Sequence, residues 1–83
     1  MNYTMRNESN WIYFSSDDNL DWMIDDIYVA DARYQGKGKE LVEAAFRKMK
    51  SLGGKRVGTW APVPGAFGFW RKMGFNESGV RKL

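Results

Sequence analysis

Apolar positions in the first third of the chain recur with the short spacing of β-strands. The aromatic run at residues 11–14 predicts one strand, and residues 20–30 predict a second that pairs antiparallel with it across the polar turn 15–19. Residues 1–9 are polar and show no periodicity, which indicates a loose end or a short edge strand. The predicted fold therefore begins with a β-hairpin.

The second predicted strand contains a break in its alternation. Asp25 and Asp26 stand side by side between the apolar Ile24 and Ile27, so the alternation slips by one residue. An extra residue in one strand is what a β-bulge provides. We therefore expect an irregular point of the strand at these two aspartates.

The middle of the chain changes to helical spacing. Residues 31–39 predict a loop rich in glycine and basic residues, and residues 38–52 predict a helix. The apolar positions at helical spacing are Leu41, Ala45, Met49 and Leu52. Gly53 and Gly54 are typical of a helix end.

The last third of the chain predicts three shorter elements. Residues 56–61 predict a strand, and Pro64 suits the start of a second helix that ends at Gly74. The apolar face of that helix consists of Ala66, Phe69, Trp70 and Met73. Residues 75–80 predict a last strand, and residues 81–82 a solvated tail. This order of elements predicts one α/β layer domain over residues 1–83.

Composition removes several kinds of chemistry. The 83 residues include no cysteine and no histidine, which excludes disulfides, zinc sites and Ser-His-Asp triads. The sequence has neither an apolar run long enough to span a membrane nor a signal-peptide stretch, so we expect a cytoplasmic protein without a membrane partner. The net charge of +3 favours an anionic partner only mildly.

The positive charge concentrates in one glycine-containing segment. Arg33, Lys37 and Lys39 surround Gly36 and Gly38 directly before the predicted helix. Backbone amides at the start of a helix bind anions, and glycine permits close approach. We therefore expect a pyrophosphate site here, although plain surface lysines would give the same pattern.

Two familiar phosphate-binding motifs do not fit this segment. A Walker loop requires glycine at position 33 and Ser or Thr at position 40, where the chain has Arg33 and Glu40. A dinucleotide-binding fingerprint that starts at Gly36 requires a small residue at position 41, where the chain has Leu41.

The segment does resemble the GNAT acetyltransferase superfamily. The family motif is Arg or Gln, two residues, Gly, one residue, then Gly or Ala, and Arg33, Gly36 and Gly38 match it. A second family element, on its fourth helix, is matched by Ala66, Phe69, Lys72, Gly74 and Phe75. The resemblance covers residues ~20–80. It implies a minimal GNAT-like α/β fold, an antiparallel hairpin followed by β-α-β-α-β around a splayed mixed sheet.

The sequence departs from the family pattern in three places. Val63 stands where Asn is frequent, and Trp70 stands where a Tyr often protonates the leaving thiolate. Indole has no proton to give at a useful pH. The strand and two helices that precede the family's hairpin are not recognisable before Trp11. We therefore expect an N-terminally truncated domain whose acceptor side is open or completed by another chain.

The resemblance implies acetyl-CoA as the acyl donor. The residues it places around this cofactor are Ile27, Tyr28, Val29, Arg33, Tyr34, Gln35, Gly36, Lys37, Gly38, Lys39, Phe67 and Trp70. Phe67 and Trp70 are also good candidates for the hydrophobic core, together with Trp60 and Phe69.

The prediction for the site that binds the acceptor amine depends on a narrower resemblance. Residues 24–29 are similar to a strand of the polyamine and diamine acetyltransferase branch, which implies Asp25 as general base and Asp26 as a contact for a cationic amine. Tyr28, Tyr34 or solvent would then replace the missing acid, or the thiolate would leave unassisted. The alternative is that both aspartates are solvent-facing strand residues.

Two functions remain open at this point. The chain is either an N-acetyltransferase for a primary amine, on a small molecule or a protein, or a non-catalytic acetyl-CoA binding module. We do not expect a nucleic-acid partner, because the basic residues gather at one glycine segment and form no stripe. A core this small favours a homodimer, through the N-terminal strand or the sheet near Trp11 and Trp22.

Overall fold

The computed structural model describes residues 1–7, 9–30, 35–59 and 67–83, and only the backbone of Gln35 and Phe67. The elements in chain order are β1 Asn2–Asn7, β2 Asn10–Ser15, β3 Asp21–Tyr28, α1 Gln35–Ser51, β4 Arg56–Thr59, α2 Phe67–Lys72 and β5 Val80–Lys82. The predicted helix start at Pro64 and Ala66, the end of the third predicted strand, Val63 and Trp60 lie outside these residues.

The strands form one five-stranded mixed sheet in the order β1-β2-β3-β4-β5. β1, β2 and β3 are antiparallel neighbours, whereas β3 and β4 are parallel, with α1 lying between them in the chain. β5 returns antiparallel to β4. A parallel neighbour requires a long crossover connection, and the helix supplies it. The predicted α/β fold is confirmed.

Three predicted boundaries change. Residues 2–7 form a full edge strand, and α1 begins at Gln35, so the second half of the predicted loop belongs to the helix. The last strand is at Val80–Lys82, so the prediction of a strand at 75–80 and of a solvated tail at 81–82 was wrong.

The late start of β5 has a local cause. The side chain of Phe75 is buried in the core directly after α2. The side-chain oxygen of Asn76 accepts hydrogen bonds from the amides of Ser78 (2.9 Å) and Val80 (3.1 Å), which closes a turn over these residues. Asparagine mimics a backbone turn in this way, and pairing with β4 begins only after the turn.

The predicted β-bulge is confirmed at Asp25. Tyr13 of β2 pairs with Asp26, whereas the next residue, Phe14, pairs with Ile24. Asp25 is therefore the extra residue of β3. The bulge restores the alternation beyond it, so that Ile27 packs against the core.

The core lies on one face of the sheet. Its sheet residues are Ile12, Phe14, Trp22, Ile24 and Val57, and side chains from both helices belong to the same buried cluster. Phe46 of α1 and Trp70 of α2 both contact the ring of Phe75, with centroids 6.0 and 5.2 Å away. Trp22 is only 3 % exposed on this face, so it is not available to the dimer surface that the sequence suggested.

Both helices end in the same way. In α1 the amide of Gly54 bonds to the carbonyl of Met49 and that of Gly53 to Lys50, with Gly53 at a φ of 93°. Gly74, also at 93°, holds the corresponding position after α2. This is the Schellman arrangement, which satisfies carbonyls that the helix leaves without partners.

The turn between β2 and β3 is organised by two polar side chains. Asp18 Oδ1 accepts hydrogen bonds from the amides of Leu20 (2.9 Å) and Asp21 (3.0 Å). Ser16 Oγ accepts the amide of Asn19, which adopts a left-handed φ of 65°. The amide hydrogen bonds from Asp21 and Leu20 lower the pKa of the Asp18 carboxyl below its ordinary value of 3.8.

The lowered pKa of Asp18 makes the turn sensitive to acid. The contribution of the Asp18 carboxylate to the stability of the fold is fully present above pH 3.8. It is lost as the pH falls through the lower pKa that this carboxyl has in the folded state. We expect Asp18→Asn to be less stable than the wild type at neutral pH, and the difference in free energy of unfolding to shrink in acid. Urea titrations of both proteins across this pH range measure it. A constant difference at every pH would contradict the prediction.

Candidate functional site

The N-terminus of α1 lies beside the end of β3. Gln35, Gly36, Lys37, Gly38 and Lys39 form the first turn and the start of the second. The first amides of a helix have no partner within it, and the helix dipole places partial positive charge there. The basic side chains of Lys37 and Lys39 are exposed at this end. The arrangement suits an anionic group.

The two glycines of this turn have different surroundings. A Cβ atom added to Gly36 would meet no neighbouring atom of the described residues within 4 Å. A Cβ added to buried Gly38 would lie 3.3 Å from Val29 Cγ2 and 3.4 Å from Phe69 Cε1. Gly38 therefore lets the helix start pack against β3 and α2, whereas the space beside Gly36 is open among the described residues.

Asn10 fixes the chain where it leaves β3. Its side chain is only 3 % exposed, and its Oδ1 accepts a 2.8 Å hydrogen bond from the amide of Ala30. The start of β2 thus holds the backbone shortly before the basic segment. No sequence pattern predicts this contact, since it depends on the register of β2 with β3.

The second half of β3 extends past its described pairing with β4. That pairing runs from Asp21 with Arg56 to Ile24 with Thr59, whereas pairing with β2 continues to Tyr28. Among the described residues, the edge of β3 after Ile24 is thus bonded on one side only. Free backbone groups on such an edge can bond to an extended ligand.

Both aspartates of the bulge lie on the sheet face opposite the core. Asp25 Oδ2 accepts a 2.8 Å hydrogen bond from Ser15 Oγ, whose residue alternates with the buried Phe14. Asp26 Oδ1 accepts the amide of Ile27 at 2.9 Å. Both carboxylates are exposed, so each can meet a cation or accept a proton. Ser15 is a site neighbour that the sequence analysis missed.

An aromatic row runs beside the carboxylates. The ring of Trp11 stacks on Tyr13 with centroids 4.6 Å apart and on Tyr28 with centroids 5.7 Å apart. Tyr28 is 49 % exposed. Tyr13 is the register partner of Asp26, so ring faces and negative charge share one open surface. Such a surface suits an organic cation.

Trp70 occupies a core position. It is 6 % exposed and packs edge-on against Phe69 (5.0 Å, 82°) and Phe75 (5.2 Å, 74°). Its contact with the cofactor stays a prediction, as do the roles predicted for Ile27, Tyr28 and Val29. Arg33 and Tyr34, and the side chains of Gln35 and Phe67, lie outside the described residues.

The described contacts join three of the predicted elements. Val29 and Phe69 both approach Gly38, which brings the end of β3, the start of α1 and α2 together. Asp25 and Asp26 lie earlier on the same strand. No helix within the described ranges is long and apolar enough to cross a bilayer.

Comparison with known proteins supports the resemblance seen in the sequence. The profile of the acetyltransferase (GNAT) family matches residues 6–75, which include every predicted site residue, the whole of β2, β3 and β4, and the last two residues of β1. Comparisons with curated proteins and with solved structures give no significant match. Since the profile match spans most of the chain, the protein belongs to the GNAT acetyltransferase family.

Proposed function

We propose that this protein transfers the acetyl group of acetyl-CoA to a primary amine. The observation that carries the proposal lies within the family match: the helix start at Gly36 is open among the described residues, and it adjoins the edge of β3 that has no described partner after Ile24. A helix N-terminus beside a free strand edge suits a ligand that combines a pyrophosphate with an extended amide chain, as CoA does.

The proposed cofactor contacts divide into two groups. The amides at Gly36 to Lys39, with Arg33, Tyr34 and Gln35, would hold the pyrophosphate. The backbone of Ile27 to Val29 would pair with the pantetheine chain, and Phe67 and Trp70 would line it. Because Trp70 is only 6 % exposed, it could offer only a small part of its ring to the pantetheine chain.

The proposed chemistry uses the carboxylates of the bulge. The ammonium group of the acceptor first loses a proton to Asp25, directly or through water. The free amine nitrogen then attacks the thioester carbonyl carbon, and the carbon–sulfur bond breaks to release the CoA thiolate. Asp26 would hold the cationic acceptor, and Tyr28 would protonate the thiolate. The exposed carboxylates and the aromatic row support a cationic acceptor of the kind used by the polyamine branch.

A second function is favoured by one specific observation. Trp70 lies in the core where many family members have a tyrosine acid, and indole cannot donate the required proton. The alternative proposal is a non-catalytic acetyl-CoA binding module. For either function we expect a cytoplasmic homodimer.

The two glycines give a test of the cofactor site. Gly36→Val should abolish acetyl-CoA binding while the fold stays intact, because the side chain would fill open surface needed by the ligand. Gly38→Val should instead lower the free energy of unfolding by about 1–3 kcal/mol through overpacking against Val29 and Phe69. Calorimetry and urea titration measure the two effects. Full binding by a folded Gly36→Val protein would refute the proposed pyrophosphate position.

The carboxylates give a test of catalysis. Asp25→Asn should lower kcat by about 10²–10⁴-fold without changing acetyl-CoA affinity, because the base is lost. Asp26→Asn should chiefly raise KM for the amine. Thiol release from acetyl-CoA with a panel of amines measures both.

Trp70→Tyr separates the two proposed functions. If only the acid is missing, this variant should acetylate amines faster than the wild type. If both proteins bind acetyl-CoA and neither acetylates any amine above background, the binding-module function holds and Asp25 has no catalytic role.

A further inference from the structure

The two edges of the sheet differ in how well they are protected against pairing. β5 is three residues long and carries Arg81 and Lys82, and short, charged edge strands resist the addition of another strand. β1 is six residues long and pairs regularly with β2 throughout, without proline or bulge. Arg6 is its single charged side chain, and no described strand pairs with its outer edge.

The hydrogen bonds of β1 show which backbone groups face outward. Met1 and Ser16 exchange both bonds, at 3.0 and 2.6 Å. Bonded and non-bonded pairs alternate along an antiparallel ladder, so Tyr3 and Met5 also bond towards β2. The amide and carbonyl groups of Asn2, Thr4 and Arg6 therefore point to the outer edge.

We propose that the outer edge of β1 pairs antiparallel with β1 of a second copy, around a two-fold axis at Thr4. This register places Thr4 opposite Thr4 and Asn2 opposite Arg6 of the other copy, and it uses every outward backbone group of the strand. A C2 interface must be self-complementary, and this one is. The proposal does not depend on acetyl transfer.

The side chains support this register over its neighbours. On the core face it brings Tyr3 opposite Met5, and both side chains already pack against the core at the rim of the sheet. Non-hydrogen-bonded pairs hold side chains closer, so these apolar groups cover each other. A slip of one residue between the two β1 strands would place core-face residues of one copy opposite outer-face residues of the other. A larger slip towards Arg6 leaves Asn2 unpaired and moves the two arginines together.

Thr4→Pro tests the edge directly. Proline removes an amide that points away from β2, and edge strands tolerate it there, so the fold should persist while the dimer is lost. Thr4→Val keeps the amide and should remain dimeric. Light scattering gives the mass of each protein, and circular dichroism checks the fold. A monomeric wild type at its highest soluble concentration, or a dimeric folded Thr4→Pro, would overturn the proposal.

A charge change tests the register and does not rely on the proline variant. Asn2 is exposed, so substitutions there leave the core untouched. Asn2→Asp should bind the second copy roughly 2- to 30-fold more tightly, because each dimer contains two contacts with Arg6. Asn2→Arg should weaken dimerisation by a similar factor, and salt should reduce both effects. Equal dissociation constants for the three proteins in sedimentation would show that the copies pair elsewhere, and the proposed interface would be wrong.

Discussion

The close approach at Gly38 is the contact on which the arrangement of this small domain depends. The sheet has a buried core on one face, so α1 must return the chain from β3 to β4 while lying flat against that face. Gly38 permits this because the space of its missing side chain is taken by Val29 and Phe69. With the helix start fixed there, the first turn of α1 lies beside the part of β3 that, among the described residues, is bonded on one side only.

The sequence predicted the elements whose signals are local. The slip between Ile24 and Ile27 predicted the bulge, and Gly53 and Gly74 predicted both helix ends, because left-handed φ values favour glycine. The last strand was predicted too early because Phe75, whose apolar side chain suggested a strand, is buried in the core just before a turn. Asn76 closes that turn through a hydrogen bond of its side chain, and the spacing of apolar residues carries no information on such a contact.

The candidate site was predictable only as a set of residue types. Motif spacing identified Gly36 and Gly38 together, yet their different roles follow from tertiary packing that spacing does not encode. The contacts of Ser15 with Asp25 and of Asn10 with Ala30 depend on strand register. The burial of Trp22 was not predictable for a related reason. Alternation shows which residues of a strand share a face, but it does not show which face of the sheet the helices cover.

The extra residue in β3 also lets one strand meet two requirements that a regular strand could not meet together: apolar side chains on the core face and adjacent carboxylates on the outer face. Without it, strict alternation after Ile24 would turn Asp26 towards the helices and Ile27 towards water. With it, one strand supplies an unbroken apolar surface to the interior and two neighbouring carboxylates to the exterior. The chemistry of the outer surface can therefore vary through substitutions at these positions while the interior keeps its composition.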